Sequence, residues 1–347
     1  MRQSKVSTLM KHGILFYSLL FFLVPHWGGC ASNYPIAKVS LRVIDQEGNP
    51  VSDVKIRAGF WLGRENLSAY PNEEGIVTFT SPAVADAVFT NEQNYHPFHN
   101  PTGKDKYYPT IIRKDFGNLR TNVIDGKWQP WNPTIEFVLK EIKNPIPMYA
   151  NERQHDEPIP ARNEWCGFDM MKNAWTKPYG TGEHADIEIY HDWDGKLGEE
   201  YMGSTLKLRF PDKEAGYYIV HYDYDEKGMY ENVGFKSPHH AEPSKIGSNE
   251  LKFYEKRIPE TKRLERHLFP NGTIYIFRTR TRFDAQGNLV GAHYGKIYRP
   301  PSTIFNFWFG KSRIRLPFYL NPTENDTNLE FDPERNLLKG VRGYVRP

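Results

Sequence analysis

The chain has 347 residues, with 45 Lys and Arg against 42 Asp and Glu, and a formal charge of +3. Residues 1–29 carry Arg2, Lys5 and Lys11 and no acid, so the remainder balances at 45 − 3 = 42 bases against 42 acids. That removes the cationic surplus a nucleic-acid partner would require, while 21 Tyr, 21 Phe, 8 Trp, 26 Pro and 27 Gly point to short strands joined by tight turns.

Residues 1–29 read as a secretory signal peptide, with a basic start, an apolar centre from Ile14 to Val24 and small residues before Cys30. The centre is too short for a permanent membrane helix, and the next richest stretch, 304–320, is cut by Lys311, Arg313 and Arg315. Gly28, Gly29 and Cys30 resemble the lipobox of bacterial lipoproteins, whose cysteine is acylated after cleavage. The resemblance implies a lipid on Cys30 and, through it, a membrane partner. Ala31 stands where some lipoproteins carry an inner-membrane retention aspartate, which favours the outer membrane or cell surface. Ordinary signal-peptidase cleavage before Ser32 is the alternative. If Cys30 is acylated, Cys166 has no intrachain partner.

Residues 30–142 are expected to form a small β-sandwich. Val39, Leu41 and Val43 alternate with Ser40 and Arg42, the period of a strand with one buried face. Asp45, Gly48, Asn49 and Pro50 supply a turn, and Val54 and Ile56 resume the alternation. Further strands fit 75–80, 85–90, 107–113 and 134–142. The runs VIDQEGNPVSDVKI and NEEGIVTFT resemble the carboxypeptidase regulatory-like domain, a transthyretin-like sandwich. Asp45, Gly48, Pro50, Val51 and Val54 carry the first part of the likeness, and Gly75, Val77 and Phe79 the second. The resemblance implies a non-enzymatic fold attached to other exported modules, and does not imply an activity.

The two prolines of KNPIPMYA mark 143–150 as a linker. Residues 151–347 are expected to be a larger antiparallel β domain built from hairpins, giving an all-β protein throughout. This half resembles the second halves of exported proteins that join such a sandwich to stretches like WTKPYGTGEHADIEI and YIFRTRTRFDAQGNLVGAHYGKIY. DAQGN at 284–288 repeats the turn chemistry of DQEGN at 45–49.

Two rows, His184-Ala-Asp186-Ile-Glu188 and His221-Tyr-Asp223-Tyr-Asp225, would each place an imidazole and two carboxylates on one strand face. His184, Asp186, His221 and Asp223 are therefore candidate metal ligands, set against a solvated face as the plainer account. Arg278, Arg280 and Arg282 line one face if the strand is regular, either as a clamp for a carboxylated glycan or phosphate or as partners of an acidic row. FNFWF, with Phe305, Phe307 and Phe309 on one face and Trp308 on the other, is expected to be a strand buried on both faces, with sugar stacking by Trp308 as the alternative. Cys166, between Trp165 and Phe168, is expected to be a buried, inert thiol.

No nucleophile elbow, zincin helix, phosphate loop or dinucleotide fingerprint is present, and no cofactor is expected. The residues favour a non-enzymatic, lipid-anchored envelope protein that binds a glycan or envelope polymer or scaffolds. The competing possibility is a metal-dependent or carboxylate-based hydrolase built on the His and Asp rows.

Overall fold

The computed structural model describes residues 34–61, 66–91, 106–151, 157–194, 203–221, 237–258, 261, 263–267, 273–297, 302–306 and 311–340. Cys30, Asp223 and Trp308 lie outside them. Tyr34–Pro347 form one compact unit. It is all-β: its only described helical segments are the short 3-10 turns Pro243–Lys245 and Pro333–Arg335. No helix among the described residues is long and apolar enough to cross a membrane.

The first half holds β1 (Ile36–Ile44), β2 (Ile56–Phe60), β3 (Leu67–Ala69), β4 (Ile76–Pro82) and β5 (Asp86–Thr90). It continues with β6 (Ile111–Asp115), β7 (Val123–Ile124), β8 (Lys127–Trp128) and β9 (Thr134–Val138). One sheet runs β4-β1-β8-β7 with β9 also on β1, and the other runs β3-β2-β5-β6. Val39, Leu41 and Val43 of β1 face Ile56, Ala58 and Phe89 in a shared core, which is the burial the alternating pattern predicts. The expected strand at 107–113 forms only from Ile111. Tyr107 and Tyr108 ahead of it are buried but extend towards Glu141 and Lys140 instead.

The turns repeat as expected. Asp45 Oδ1 accepts from the amides of Glu47 and Asn49 at 3.0 and 2.8 Å, and Asp284 Oδ1 accepts from Gln286 and Asn288 at 2.9 and 2.8 Å. Gly48 and Gly287 sit at φ +87° and +85°, where a side chain is strained.

The second half contains β10 (Tyr149–Asn151), β11 (Glu157–Pro158), β12 (Trp165–Asp169), β13 (Ala174–Trp175) and β14 (Ile187–Asp194). β15 (Gly203–Arg209), β16 (Gly216–His221), β17 (Glu250–Arg257) and β18 (Leu264–His267) follow. Last come β19 (Thr273–Phe283), β20 (Leu289–Ile297), β21 (Ser302–Asn306), β22 (Lys311–Arg315) and β23 (Phe318–Leu320). They form a six-stranded sheet, β13-β12-β14-β15-β17-β18, a five-stranded sheet, β10-β23-β20-β19-β16, and a three-stranded sheet, β11-β22-β21.

The five-stranded sheet is buried on both faces. Tyr275, Phe277 and Phe318 meet Phe168, Ile189 and Leu208 of the six-stranded sheet on one side. On the other, Ile274, Ile276 and Tyr319 meet Met148, Leu329 and Phe331. That is why Thr273 to Phe277 reads as a continuous apolar run and is buried throughout. The segment 143–150 is built into this second layer: Ile146 bridges Phe331, Met148 is fully buried and Tyr149 pairs with Leu320.

Candidate functional site

Three of the residues singled out for metal or anion chemistry, His184, Asp186 and Arg280, meet in one clasp with Asp169 and Asp212. β19 slips register between Thr279 and Arg282, and Arg280 adopts φ +51°, so its side chain leaves the face its neighbours share. The expected arginine row is therefore broken. Arg278 donates to the Glu214 carbonyl at 2.9 Å, and Arg282 forms two 2.7 Å bonds with Glu324. Arg280 turns inward, with Nε on Asp186 Oδ1 at 2.7 Å and Nη2 on Asp186 Oδ2 and Asp169 Oδ1, each at 2.8 Å.

Both carboxylates are fully spent. Asp186 also accepts from the Met170 amide and Thr279 Oγ1, and Asp169 accepts from the amides of Met171, Lys172, Glu183 and His184. Burial pushes the Asp169 carboxyl up. The Glu183, Lys172 and His184 amides and Arg280 outweigh it, so the net displacement is downward. His184 Nε2 pairs with Asp212 Oδ2 at 3.0 Å, and that bond raises the imidazole above its ordinary value.

The regular strand begins only at Ile187. His184 and Asp186 therefore do not share a face with Glu188, which pairs outside with Arg209. His221 stands exposed at the end of β16. Among the described residues no group of three or more His, Cys, Asp or Glu is placed to hold a metal ion. In the first of the two candidate rows, His184 and Asp186 are instead engaged in a clasp that ties β19 to the ends of β12 and β14, while Asp223 of the second row lies outside the described residues. Cys166 is a free, buried thiol whose pKa burial raises, as its apolar setting predicted.

A different surface gathers exposed rings and cations. The inner face of the six-stranded sheet is spent on Cys166, Phe168, Ile187, Ile189, Leu206, Leu208, Leu251 and Phe253 in the core. Alternation then forces the residues between them outward. Register sets Trp165 opposite Tyr190, Tyr190 opposite Lys207, and Lys207 opposite Lys252, a single row across four strands. The next row places Asp192, Thr205, Tyr254 and His267 side by side. All of these are part-exposed or exposed.

Rings and cations lie against one another on this face. Trp165 and Tyr190 have centroids 5.5 Å apart, and the Arg209 guanidinium lies 4.1 Å from the Trp165 ring centre. Lys207 Nζ is 5.1 Å from the Tyr190 ring and Lys252 Nζ 5.9 Å from the Tyr254 ring, while Tyr254 stacks on His267 at 5.7 Å. Tyr254 donates to Glu265 at 2.9 Å, and that bond pushes its hydroxyl pKa up. The acids nearby are engaged: Glu188 holds Arg209 and Asp192 holds Arg162 at 3.1 Å. Other exposed aromatics are dispersed, with Trp61 and Tyr70 at opposite ends of the β2–β3 pair.

Alternation within β12 and β14 was legible one strand at a time. The band was not, because it exists only through the pairing of four strands. The adjacent pair Trp165-Cys166, with the cysteine inward, was the one available signal that Trp165 points out.

No family model matches the chain, and no curated protein matches it. Among solved structures it is similar to a streptococcal ancillary pilin, at 10% identity and TM-score 0.19 over 74% of this chain. The chain spans 58% of that pilin's length. It is also similar to a candidate carbohydrate binding protein from Bacteroides uniformis, at 11% identity and TM-score 0.18, covering 83% of this chain and 99% of that one. Likeness at this level carries no weight for fold or function, which rest on the geometry above.

Proposed function

We propose that this chain is an exported, non-enzymatic envelope protein that holds a glycan polymer on the outer face of its six-stranded sheet. The observation that carries it is the continuous band of Trp165, Tyr190 and Tyr254, interleaved with Lys207, Arg209 and Lys252 and left outside a fully used core. Aromatic rings stack on the apolar faces of sugars and lose little entropy on binding, and flanking cations and hydroxyls fix orientation. An open sheet presents several such contacts along one line, which suits an extended chain better than a small substrate.

The signal-like segment before Cys30 and the small residues at its end support export and tethering by a lipid on Cys30, at the outer membrane or cell surface. The two-sheet sandwich at β1–β9 and its Asp45 to Pro50 turn support a carboxypeptidase regulatory-like domain as the supporting module. A hydrolase on the first His and Asp row finds no support among the described residues, because His184 and Asp186 are engaged with Asp212 and Arg280.

The test is co-sedimentation of the full chain with insoluble polysaccharides and purified cell wall, beside Trp165→Ala and Tyr254→Ala variants. Binding that falls about tenfold or more in either variant is expected, the loss of one stacked ring. Binding indifferent to both substitutions would move the site elsewhere.

A further inference from the structure

We propose that the polymer held on this sheet is polyanionic, a uronate-type polysaccharide whose carboxylates sit on Lys207 and Lys252. The inference rests on the sheet-face site proposed above and adds the chemistry of its ligand. Lys207 and Lys252 are directly opposed residues of neighbouring antiparallel strands. Like charges in that position repel, so a sheet free to choose would alternate signs.

The surrounding face does alternate. Arg209 lies opposite Glu188 and bonds it, Glu250 stands on the other flank of Arg209, and Asp192 takes Arg162. Tyr254 engages Glu265 through its hydroxyl. Among the described residues neither Lys207 nor Lys252 has a carboxylate partner, and each ammonium lies beside a ring, Tyr190 or Tyr254. The face therefore holds two adjacent ammonium groups with no carboxylate in ion-pair contact, set between two stacking positions, with Glu250 two residues along the strand.

A uronate repeat is complementary to that layout: its ring face covers an aromatic, while its carboxylate meets the ammonium groups that repel each other in its absence. Charge-assisted bonds of this kind are the stronger class, and two made together discriminate firmly against a neutral sugar. Occupation also relieves the Lys207–Lys252 repulsion, so part of the affinity comes from the protein itself.

The experiment measures binding of the full chain to polygalacturonate, alginate and hyaluronate, beside dextran and fully methyl-esterified polygalacturonate, which keeps the backbone and removes the charge. An acidic polymer is expected to bind about tenfold or more tightly than the neutral ones at about 50 mM salt, with the preference shrinking towards about 500 mM. The Lys207→Gln/Lys252→Gln double variant should lose the preference, while Trp165→Ala loses binding to every polymer. Neutral and acidic polymers bound alike, in a manner sensitive to Trp165→Ala, would overturn the anionic ligand and leave the sheet-face site standing. A preference that survives in the double variant would equally overturn it. Failure to bind any of the polymers would overturn both.

Discussion

Tyr108 and Glu330, 222 residues apart in sequence, are joined by a 3.1 Å hydrogen bond with both side chains buried. The bond closes a seam between the sandwich and the five-stranded sheet's second face. Glu330 also accepts from the amides of Lys143 and Asn144 at 3.2 and 2.7 Å, and His239 Nε2 lies 3.4 Å from it. Beside it, Lys140 and Lys296 both donate to Ser237 Oγ, at 3.3 and 2.9 Å. One carboxylate thus serves as the counter-ion for a pocket of buried cations.

Removing that carboxylate should be costly. Glu330→Ala leaves the Tyr108 hydroxyl and two amides without their acceptor and strips Lys140 of its nearest negative charge, so a loss of about 3–5 kcal/mol is expected. Chemical denaturation of the variant measures it. A loss under about 1 kcal/mol would mean that the seam is solvated and contributes little.

Lys140 gives the seam a pH dependence of definite sign. Burial draws its pKa down from 10.5 to about 8, with Glu330 opposing the shift. The unfolded chain therefore binds more protons between about pH 8 and 10.5. The cost of burying the ammonium is fully present below pH 8 and is relieved as pH rises through that window, by up to about 3 kcal/mol. Lys296 is shifted the same way by burial and by Lys140. Comparing the wild type with Lys140→Met isolates the effect: the stability difference should narrow as pH climbs from 8 to 10.5. A difference independent of pH would refute the assignment.

What could be read ahead of the structure followed from how local each feature is. The β1 alternation, the Asp45 and Asp284 turns and the inert Cys166 depend on residues a few positions apart, so their patterns survive as text. The arginine row failed because two register shifts, at Thr279 to Arg282 and at Arg282 to Phe283, and the positive φ of Arg280 turn a side chain inward without any glycine in the strand to announce it. Nothing in the sequence distinguishes Lys140 and Lys296, since what marks them is a serine and a glutamate brought in from distant segments. The band across Trp165, Tyr190, Lys207 and Lys252 spans 88 positions of sequence and no shared motif.

The Arg280 clasp should behave as a structural element. Arg280→Met would strand Asp169 and Asp186, whose side chains are almost wholly buried, and leave one of them to take up a proton. The expected loss is about 3–5 kcal/mol. The amides that hold Asp169 below its usual range mean that its contribution is present above the unfolded pKa near 3.8 and is lost as pH falls through the folded value. Arg280 adds to that lowering, so the wild type should shed stability in acid more steeply than Arg280→Met, and parallel acid profiles would argue against the clasp.

With the polymer on the outer face as proposed, stability and binding reside in different layers, and one substitution separates them. Gly295 of β20 faces Phe277 on one neighbouring strand and Leu320 on the other. A Cβ there would overlap the Phe277 ring and the Tyr319 carbonyl, atoms locked in a sheet buried on both faces. Overpacking of that kind costs about 1–3 kcal/mol, so Gly295→Ala should lower the thermal midpoint measurably. The outer face of the six-stranded sheet lies one layer away and takes none of its side-chain contacts from Gly295. Polymer binding at a temperature where both proteins are folded should therefore be unchanged, the reverse of Trp165→Ala. If Gly295→Ala instead abolished binding while folded, the binding surface would have to include the central sheet, and the site on the outer face would be wrong.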